Sequence, residues 1–582
     1  MNFLRNLLAA IIGFFIAIFL LFAFFIGISA VIGSGEEVYV KPKSVLELDL
    51  TTPIKDYVQR DDNPLSEFLD LTDEKLGLNH IINAIENAKY DDNIKGISIK
   101  TPFINAGIPQ TQSIRKKLSE FKSSGKFIYA YNDVYSQKNY YLSSVADSLF
   151  LNPIGEIDFK GLGTEVLYFK DFEDKYGIKM EVIRHGKYKS AVEPFLENKM
   201  SENNREQITS LLNSLWSEII TDIGTERNLS DEKINTIADN LGGRNATLSK
   251  ENNLIDDAIY EDQYENFLKS KTQSSKLNYI SIADYIKSGK GKVSSTATDR
   301  IAVIYAQGNI LYGKGNEDYI GQELMIKAIR SAVKNSKVKA IVLRVDSPGG
   351  SALASELIWR ELELAKKHKP LVVSMGNSAA SGGYYIAAGA DKIVAEPTTI
   401  TGSIGVFGIL PNAYELSQRI GINAEQVNTN KNNGYSVFEP MNPNFYNATK
   451  ESVEKTYSTF VQRVASGRNM SIESVNEIAQ GRVWTGVQAK ENGLVDELGN
   501  LQTAIVIAAD LAEIGDYKIR NYPNYKIDFK DAFKMMPFAK VDKEAIIKET
   551  LGDAQYKLYH QLESLKALKG IQARMPYILE VN

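Results

Sequence analysis

The longest apolar run of the chain lies at its beginning, where residues 7–32 form 26 consecutive positions without a charge. A helix rises about 1.5 Å per residue, so a run of this length crosses a hydrocarbon core of about 30 Å. Arg5 precedes the run and two glutamates follow it, so the positive-inside rule places the rest of the chain outside the cytoplasm. We predict one transmembrane anchor within residues 1–36. The alternative is a signal peptide cleaved near "GISAVIGSG".

After this run, short apolar segments alternate with segments whose apolar residues recur at helical spacing. The apolar segment "IVLRV" (341–345) is followed by the helix pattern "ASELIWRELELAKKH" (354–368) and then by the apolar segment "LVVS" (371–374). Strands that alternate with helices predict βαβ units and a mostly parallel sheet, which is an α/β fold. Ligands of such folds bind at the carboxyl ends of the strands.

The pattern occurs twice. The segment "IINAIENAKYDDNIKGISIK" (81–100) matches "MIKAIRSAVKNSKVKAIVLR" (325–344), and residues 127–153 match residues 371–397 at the same offset of 244. Chance similarity does not hold one offset over so long a stretch, so we predict a tandem duplication of one α/β domain. The predicted units are the repeats 44–286 and 300–540, a polar linker at 287–299 and a tail at 541–582 with apolar residues at helical spacing.

The composition of the 582-residue chain narrows the possible chemistry. The chain has no cysteine, which excludes disulfides, thiolate metal sites and a cysteine nucleophile. Its net charge of −5 disfavours a nucleic-acid partner. Because the sequence contains no P-loop and no cluster with metal-ligand spacing, we predict neither a cofactor nor a metal.

The two repeats differ where their predicted strands end. The second repeat has "DSPGG" (346–350) and then "MGNSAASGG" (375–383), whereas the first has "PFINA" (102–106) and "YNDVYSQKN" (131–139). Adjacent glycines let the backbone present N–H groups to an oxyanion, and a serine at the start of a helix can reach a carbonyl. We therefore predict Ser381 as a nucleophile. The alternative is a tight turn that only packs a helix closely against a strand.

A serine nucleophile needs a base, and a histidine is the usual one. His185, His368 and His560 each stand alone in the sequence, which is more typical of a structural histidine. A lysine that is desolvated among apolar residues loses proton affinity and can serve instead.

Such a lysine is present in the first repeat. The segment "HGKYKSAVEPF" (185–195) matches "NNGYSVFEP" (432–440) of the second repeat, which lacks both lysines. The first repeat thus keeps a lysine and lacks the serine, and the second keeps the serine and lacks the lysine. We predict one site shared between the repeats, with Lys189 as general base and Lys187, two residues away, as the alternative.

Together these motifs resemble a known family. "YKSAVEPF", "DSPGG", "NSAASGGYYIAAGADKIVAEP", "TGSIGVFG" and "GRVWTGVQAKENGLVDELG" resemble the long, duplicated type of the signal peptide peptidase A (protease IV) family. The resemblance implies a duplicated fold of the ClpP/crotonase type and a Ser/Lys endopeptidase. It also implies a bowl-shaped homotetramer at the bacterial inner membrane, with the catalytic part in the periplasm, that degrades signal peptides and other hydrophobic peptides.

The resemblance also implies residue roles. Ser381 would be the nucleophile and Lys189 the base, and Ser403 would orient the lysine amine by a hydrogen bond. The oxyanion would be held by the N–H of Gly382 and by that of Gly349 or Gly350.

Two other functions fit parts of the sequence. A crotonase-like acyl-CoA enzyme also uses glycine amides as an oxyanion hole, although an external location separates it from cytoplasmic CoA. A non-catalytic scaffold could use the same fold for assembly at a membrane.

Overall fold

The computed structural model describes residues 5–7, 9–20, 38–59, 76–293, 295–431, 434–525 and 571–575. Residues 9–20 are helical, and the second part of the predicted anchor, residues 21–32, lies outside the described residues. Within the described ranges, the structure has no helix that is both long enough and apolar enough to cross a membrane.

The first repeat is built on one parallel sheet with the strand order β8-β6-β5-β4-β1-β9. Its strands are β1 (Ser44–Leu48), β2 (Ile54–Lys55), β3 (Leu76–Gly77), β4 (Ile94–Ile99), β5 (Phe127–Tyr135), β6 (Ser148–Ile157), β7 (Lys179–His185), β8 (Asp257–Ala258) and β9 (Asn278–Ser281). Its helices are α1 (Leu78–Tyr90), α2 (Ile108–Lys122), α3 (Gln137–Ser143), α4 (Lys170–Tyr176), α5 (Glu202–Arg227), α6 (Asp231–Asp239), α7 (Ala246–Glu251), α8 (Glu261–Thr272) and α9 (Ile282–Tyr285).

The second repeat follows the same plan, with the strand order β19-β17-β15-β13-β10-β21, with β16 beside β15 and with β20 beside β16. Its strands are β10 (Arg300–Gln307), β11 (Asn309–Leu311), β12 (Tyr319–Gly321), β13 (Val338–Ser347), β14 (Gly349–Ser351), β15 (Leu371–Ala380), β16 (Lys392–Ala395), β17 (Ile400–Gly402), β18 (Val406–Asn412), β19 (Val483–Thr485), β20 (Glu497–Leu498) and β21 (Lys518–Tyr522), and residues Gln572–Arg574 add β22. Its helices are α10 (Gln322–Lys334), α11 (Ala352–Lys366), α12 (Gly382–Ala387), α13 (Tyr414–Arg419), α14 (Pro443–Arg468), α15 (Ile472–Ile478), α16 (Gly486–Glu491) and α17 (Leu501–Leu511).

The sequence pattern explains these elements. Strand β13 carries the run "AIVLRV", which is buried throughout, because helices cover both faces of a parallel sheet. Helix α10 packs its apolar stripe of Met325, Ala328, Ile329 and Ala332 on that sheet, at the spacing that places residues on one helix face. Only the β17–β19 pair of the main path is antiparallel, so the predicted α/β fold with mostly parallel sheets is confirmed.

A third sheet joins the two repeats, with the strand order β12-β11-β14-β22-β18-β7. Strand β7 belongs to the first repeat, yet it pairs antiparallel with β18 of the second, from Val406 opposite His185 to Asn412 opposite Lys179. This pairing carries the segment that follows β7 across to the second repeat. The lysine and serine motifs therefore meet although 192 residues separate them.

Buried polar groups also connect the repeats. The guanidinium of Arg344 donates to the carboxylate of Asp56 at 2.6 Å, and both side chains are almost wholly buried. The side chain of Gln110 donates to the other oxygen of Asp56 at 3.0 Å. Because an unpaired buried charge is costly, this network favours one relative position of the repeats.

Parts of the predicted linker and of the predicted tail form regular secondary structure. The linker region starts in a π-helical turn, Ile286–Lys290, and the amides of Asn83 and Asn87 donate to carbonyls of residues 290–292. Of the tail that was predicted to be helical, the described residues 571–575 contain the strand β22, and the remainder of 541–582 lies outside the described residues. The strand forms because its backbone pairs with β14 and β18 on its two sides.

Candidate active site

Ser381 lies at the end of β15, where it caps helix α12. Its backbone has φ 55° and ψ −113°, a conformation that costs a non-glycine residue about 1–3 kcal/mol and is held only where the surroundings impose it. The Ser381 N–H donates to the carbonyl of Gly402 at 2.8 Å, which fixes the turn. A Cβ added to Gly383 would lie 2.6 Å from the carbonyl oxygen of Ser347, so the small residues of the motif permit this close approach.

Lys189 reaches Ser381 from the other repeat. It follows β7 and precedes a short 3-10 helix, Ser190–Phe195, and its side chain is completely buried. The Lys189 Nζ lies 2.9 Å from Ser381 Oγ, 3.0 Å from Ser403 Oγ and 3.0 Å from the carbonyl oxygen of Ser403. The structure thus brings together three side chains that the sequence analysis singled out.

The charge state of Lys189 follows from its surroundings. Burial lowers the pKa of the Lys189 amine well below its ordinary value, because the ammonium form loses its hydration. A neutral amine has two N–H donors and one lone pair. These match the three contacts if the amine donates to the Ser403 hydroxyl and carbonyl oxygens and accepts the hydroxyl proton of Ser381.

Two glycines that the sequence analysis did not single out form the slot for Lys189. A Cβ added to Gly481, where φ is 84°, would lie within 2.6–2.7 Å of the backbone N, Cα and Cβ of Lys189. A Cβ added to Gly405 would lie 3.1 Å from the Lys189 Cδ. Both glycines lie in or next to quoted motifs, "TGSIG" and "GRVWTG", so their position in these motifs was the available signal.

The residues after Lys189 hold its backbone in place. The carboxylate of Glu193 accepts from the Ser201 N–H and from the Asn204 side chain, each at 2.6 Å. The side-chain amide of Gln207 donates to Ser190 Oγ at 3.0 Å, and its oxygen accepts from the Val483 N–H at 3.2 Å. The "SAVEPF" motif is therefore the support of the lysine loop.

The predicted oxyanion glycines lie in different places. Gly349 opens β14 with φ 98°, and a Cβ added there would lie 2.7 Å from the Gly382 N, so these two backbones meet beside Ser381. The Gly349 N–H donates to Ser347 Oγ at 3.1 Å in this structure. Gly350 instead packs on β11, since an added Cβ would lie 2.0 Å from the Ile310 carbonyl oxygen.

The strand that carries Ser-Pro-Gly-Gly ends on a buried polar cluster. Asp346 accepts from the Ser378 N–H and the Asn377 side chain, each at 3.0 Å. Burial, with Asp56 nearby, raises the pKa of Asp346 to about 7. These bonds tie the end of β13 to β15 three residues before Gly349.

The alternative bases lie away from Ser381. Lys187 is exposed, and its Nζ lies 5.0 Å from the ring centroid of Tyr188. His185 stacks on Tyr457 at a centroid distance of 3.7 Å and contacts Glu454. His368 lies in the turn after α11, and His560 is outside the described residues.

Comparison with known proteins places this geometry in a family. The model of "Peptidase family S49" matches residues 120–275 and again residues 363–515, one match in each repeat. The model of "Clp protease" matches residues 291–401. The two S49 matches confirm the predicted duplication.

Curated relatives cover most of the chain. "Protease 4" of Salmonella typhi is 39% identical over 456 residues, which are 76% of this chain and 73% of that protein. "Protease 4" of Haemophilus influenzae is 36% identical over 75% of this chain and 73% of that protein. "Serine protease SPPA, chloroplastic" of Arabidopsis thaliana is 34% identical over 82% of this chain and 70% of that protein.

Proposed function

The chain belongs to peptidase family S49 and is a serine protease, and we propose that it cleaves peptides with a Ser381–Lys189 dyad shared between its two repeats. One observation carries the proposal: a completely buried amine with a lowered pKa lies 2.9 Å from the hydroxyl of a strained serine. Burial favours the neutral form of this amine, which can accept a proton, and Ser381 lies at the carboxyl end of a parallel strand.

The mechanism uses only groups of the chain. Neutral Lys189 takes the proton of Ser381 while Oγ attacks the scissile carbonyl carbon. The N–H groups of Gly382 and Gly349 hold the oxyanion, for which Gly349 turns its N–H away from Ser347. The Lys189 ammonium then gives its proton to the leaving amine. Water, deprotonated by the same lysine, releases the acyl group from Ser381. Ser403 orients the amine throughout.

We propose hydrophobic peptides, including signal peptides released by other proteases, as the substrates. The substrate proposal is supported by a relative named "Putative signal peptide peptidase SppA" of Enterococcus faecium, which is 34% identical over 37% of this chain. The apolar run 7–32 would hold the enzyme at the bacterial inner membrane, with the catalytic part outside the cytoplasm, where such peptides are released.

Labelling separates this function from the alternatives. We expect a fluorophosphonate probe to label the purified enzyme and a quenched hydrophobic peptide to be cleaved, and both signals to vanish in Ser381→Ala. Ser136→Ala, which changes the serine that caps α3 in the first repeat, is the matched control and keeps both signals. Hydrolysis of acyl-CoA but not of peptides would favour the crotonase-like alternative. Absence of both activities would favour the scaffold.

We also propose a closed homotetramer, supported by an unused copy of the β7–β18 pairing. At the repeat offset of 244, β18 corresponds to residues 162–168 and β7 to residues 423–429. Residues 162–168 alternate between half-buried and exposed, as in an edge strand, and residues 423–429 are exposed along their whole length. Neither segment forms a strand in the single chain. Pairing of 162–168 with 423–429 of a second copy is heterologous, and such contacts form a ring when the rotation between successive copies closes.

The register of that contact can be tested because the chain has no cysteine. The β7–β18 register, shifted by the repeat offset, places Thr164 of one copy opposite Val427 of the next. We expect a disulfide when Thr164→Cys and Val427→Cys proteins are mixed and oxidised. Thr164→Cys mixed with Ile422→Cys, five residues or about 17 Å out of register, is the control. Equal yields from both mixtures would contradict the pairing.

A further inference from the structure

The segment 571–575 lies in the cleft beside the nucleophile. Its strand β22 runs antiparallel to β14, with Arg574 opposite Gly349 and Ala573 opposite Gly350. On its other side Gln572 pairs with Phe407 of β18. The segment therefore fills a strand position between β14, which carries Gly349, and β18, which pairs with the strand β7 that precedes the lysine loop.

Contacts along the segment continue the ladder on both ends. The Met575 N–H donates to the Pro348 carbonyl at 2.7 Å, and the Ala352 N–H donates to the Ile571 carbonyl at 3.3 Å. A Cβ added to Gly382 would lie 3.0 Å from the Ala573 carbonyl oxygen, so the segment passes directly over this glycine. Extended peptides bind to other proteins in the same way, by adding a strand to a sheet.

The side chains of the segment are buried. Ala573 has no exposed surface, Gln572 is 2% exposed and Met575 is 8% exposed. Met575 packs against a small apolar cluster that includes Ala380, the residue immediately before the nucleophile; the other members are Leu211, Leu215 and Val483. Ser381 has no exposed surface with the segment in place.

We propose that residues 571–575 are an inhibitory strand that occupies the path of an extended peptide substrate and must leave before a substrate reaches Ser381. The inference rests on the proposed function and names the chain's own tail as the occupant of its substrate groove. Met575 is the residue in the apolar pocket next to Ala380, so that pocket takes an unbranched apolar side chain of a substrate.

The sequence also indicates why the strand is not cut. If the pocket beside Ala380 receives the side chain before the scissile bond, the bond presented to Ser381 is the one that follows Met575, and the next residue in the sequence is Pro576. A prolyl nitrogen carries a ring carbon in place of the amide hydrogen, and the ring restricts the residue before it. Both features hinder cleavage, because the leaving prolyl nitrogen has to come close to the Lys189 ammonium to receive its proton.

Removal of the strand tests the inhibition. We expect a chain that ends at residue 570 to react with a fluorophosphonate and to cleave a short quenched peptide at least about tenfold faster than the full chain. Met575→Asp in the full chain should do the same, since a carboxylate cannot stay in the apolar pocket. The matched control Met441→Asp changes a partly exposed methionine just before α14, and the labelling rate should stay unchanged.

Two outcomes would overturn the proposed inhibition. Equal rates for full chain, truncation and Met575→Asp would overturn it, and so would a slower rate in a variant that keeps the melting temperature of the full chain. If the truncation does not fold, Met575→Asp decides. Absence of Ser381 labelling in every variant would instead overturn the proposed function, so the two failures are distinguishable.

A second variant tests the register. Pro576→Ala should convert the strand into a substrate, because water then cleaves the bond between residues 575 and 576. The products are a chain that ends in the Met575 carboxylate and a free peptide of residues 576–582, which mass spectrometry detects. Pro576→Ala combined with Ser381→Ala should stay intact. An intact Pro576→Ala chain in an enzyme that cleaves added peptides would contradict the register.

Discussion

The two repeats share one scaffold but treat the end of the same strand differently. Ser381 corresponds to Gln137 of the first repeat. The Gln137 side chain donates to the Gly161 carbonyl at 2.9 Å and accepts from the Gly161 N–H at 2.9 Å. Helix α3 is capped one residue earlier by Ser136 with an ordinary φ of −67°. The strain at Ser381 is therefore not required by the fold and belongs to the second repeat alone.

The neighbouring positions differ in the same sense. Lys138 stands at the position of Gly382, and Ala106 stands at the position of Gly350. The Lys138 side chain donates a hydrogen bond to the Ala106 carbonyl. Phe159, at the position of Ser403, is buried and packs against Tyr140. In the first repeat, side chains thus fill the space that backbone amides and hydroxyls leave open in the second. The first repeat therefore differs from the second at these positions and contributes Lys189 instead.

The largest expected effect on activity distinguishes Lys189 from Lys138, the lysine next to the Ser381 counterpart in the first repeat. Lys189→Met should lower kcat/KM for a quenched peptide by about 10³–10⁴-fold, the range for loss of a nucleophile's base. Lys138→Met, which changes the half-buried lysine at the Gly382 position of the first repeat, should change kcat/KM less than about twofold. Comparable losses in both variants, with unchanged melting temperatures, would mean that the sites are equivalent and would break the comparison.

A smaller effect should come from the slot for the lysine. Gly481→Ala places a Cβ against the Lys189 backbone at positive φ, so kcat should fall about 100-fold and stability by about 1–3 kcal/mol. Gly125→Ala has a similar φ of 75° with nothing within 4 Å, and should cost about 1 kcal/mol without loss of kcat. Urea melts and initial rates measure both. Retained kcat in Gly481→Ala would show that the lysine tolerates displacement.

Ser403 should have a smaller effect still, because it acts through the lysine. Ser403→Ala should lower kcat about tenfold with little change in KM, and Ser403→Thr should restore part of the loss. The wild-type rate should rise with pH as the Lys189 ammonium loses its proton, and this rise should lie well below the ordinary lysine range. Ser403→Ala removes an acceptor of the Lys189 ammonium, which lowers the pKa of Lys189 further. The rise of the rate with pH should therefore move to lower pH in this variant. An unmoved pH profile would contradict contact between the two groups.

The smallest effect concerns stability. The pKa of Lys189 is lower in the folded chain than in the unfolded chain, so between the two values the unfolded chain binds one more proton. Wild-type stability should therefore rise with pH across this window, by about 1.4 kcal/mol per pH unit from this group. Lys189→Met should lack that slope and be more stable than wild type at neutral pH. Parallel pH-stability curves would show that the lysine is charged in the fold.

Much of this comparison could be predicted from the sequence. The repeat offset, the alternation of apolar runs and helix patterns, and the different residues at the strand ends indicated a duplicated α/β fold with one shared site. The slot glycines Gly405 and Gly481 were not identified. Their role depends on which backbone approaches them, and that backbone comes from the other repeat.

The sequence by itself determined which groups are available: one lysine motif, one serine motif and no cysteine. Hydrophobic periodicity fixed the strands and helices because it is local. Only the tertiary structure decided that Lys189 and not Lys187 reaches Ser381, and that β22 is a strand in the cleft. Both depend on antiparallel pairing between segments far apart in the chain, which local patterns do not encode, because alternation along one strand does not identify the distant strand with which it pairs.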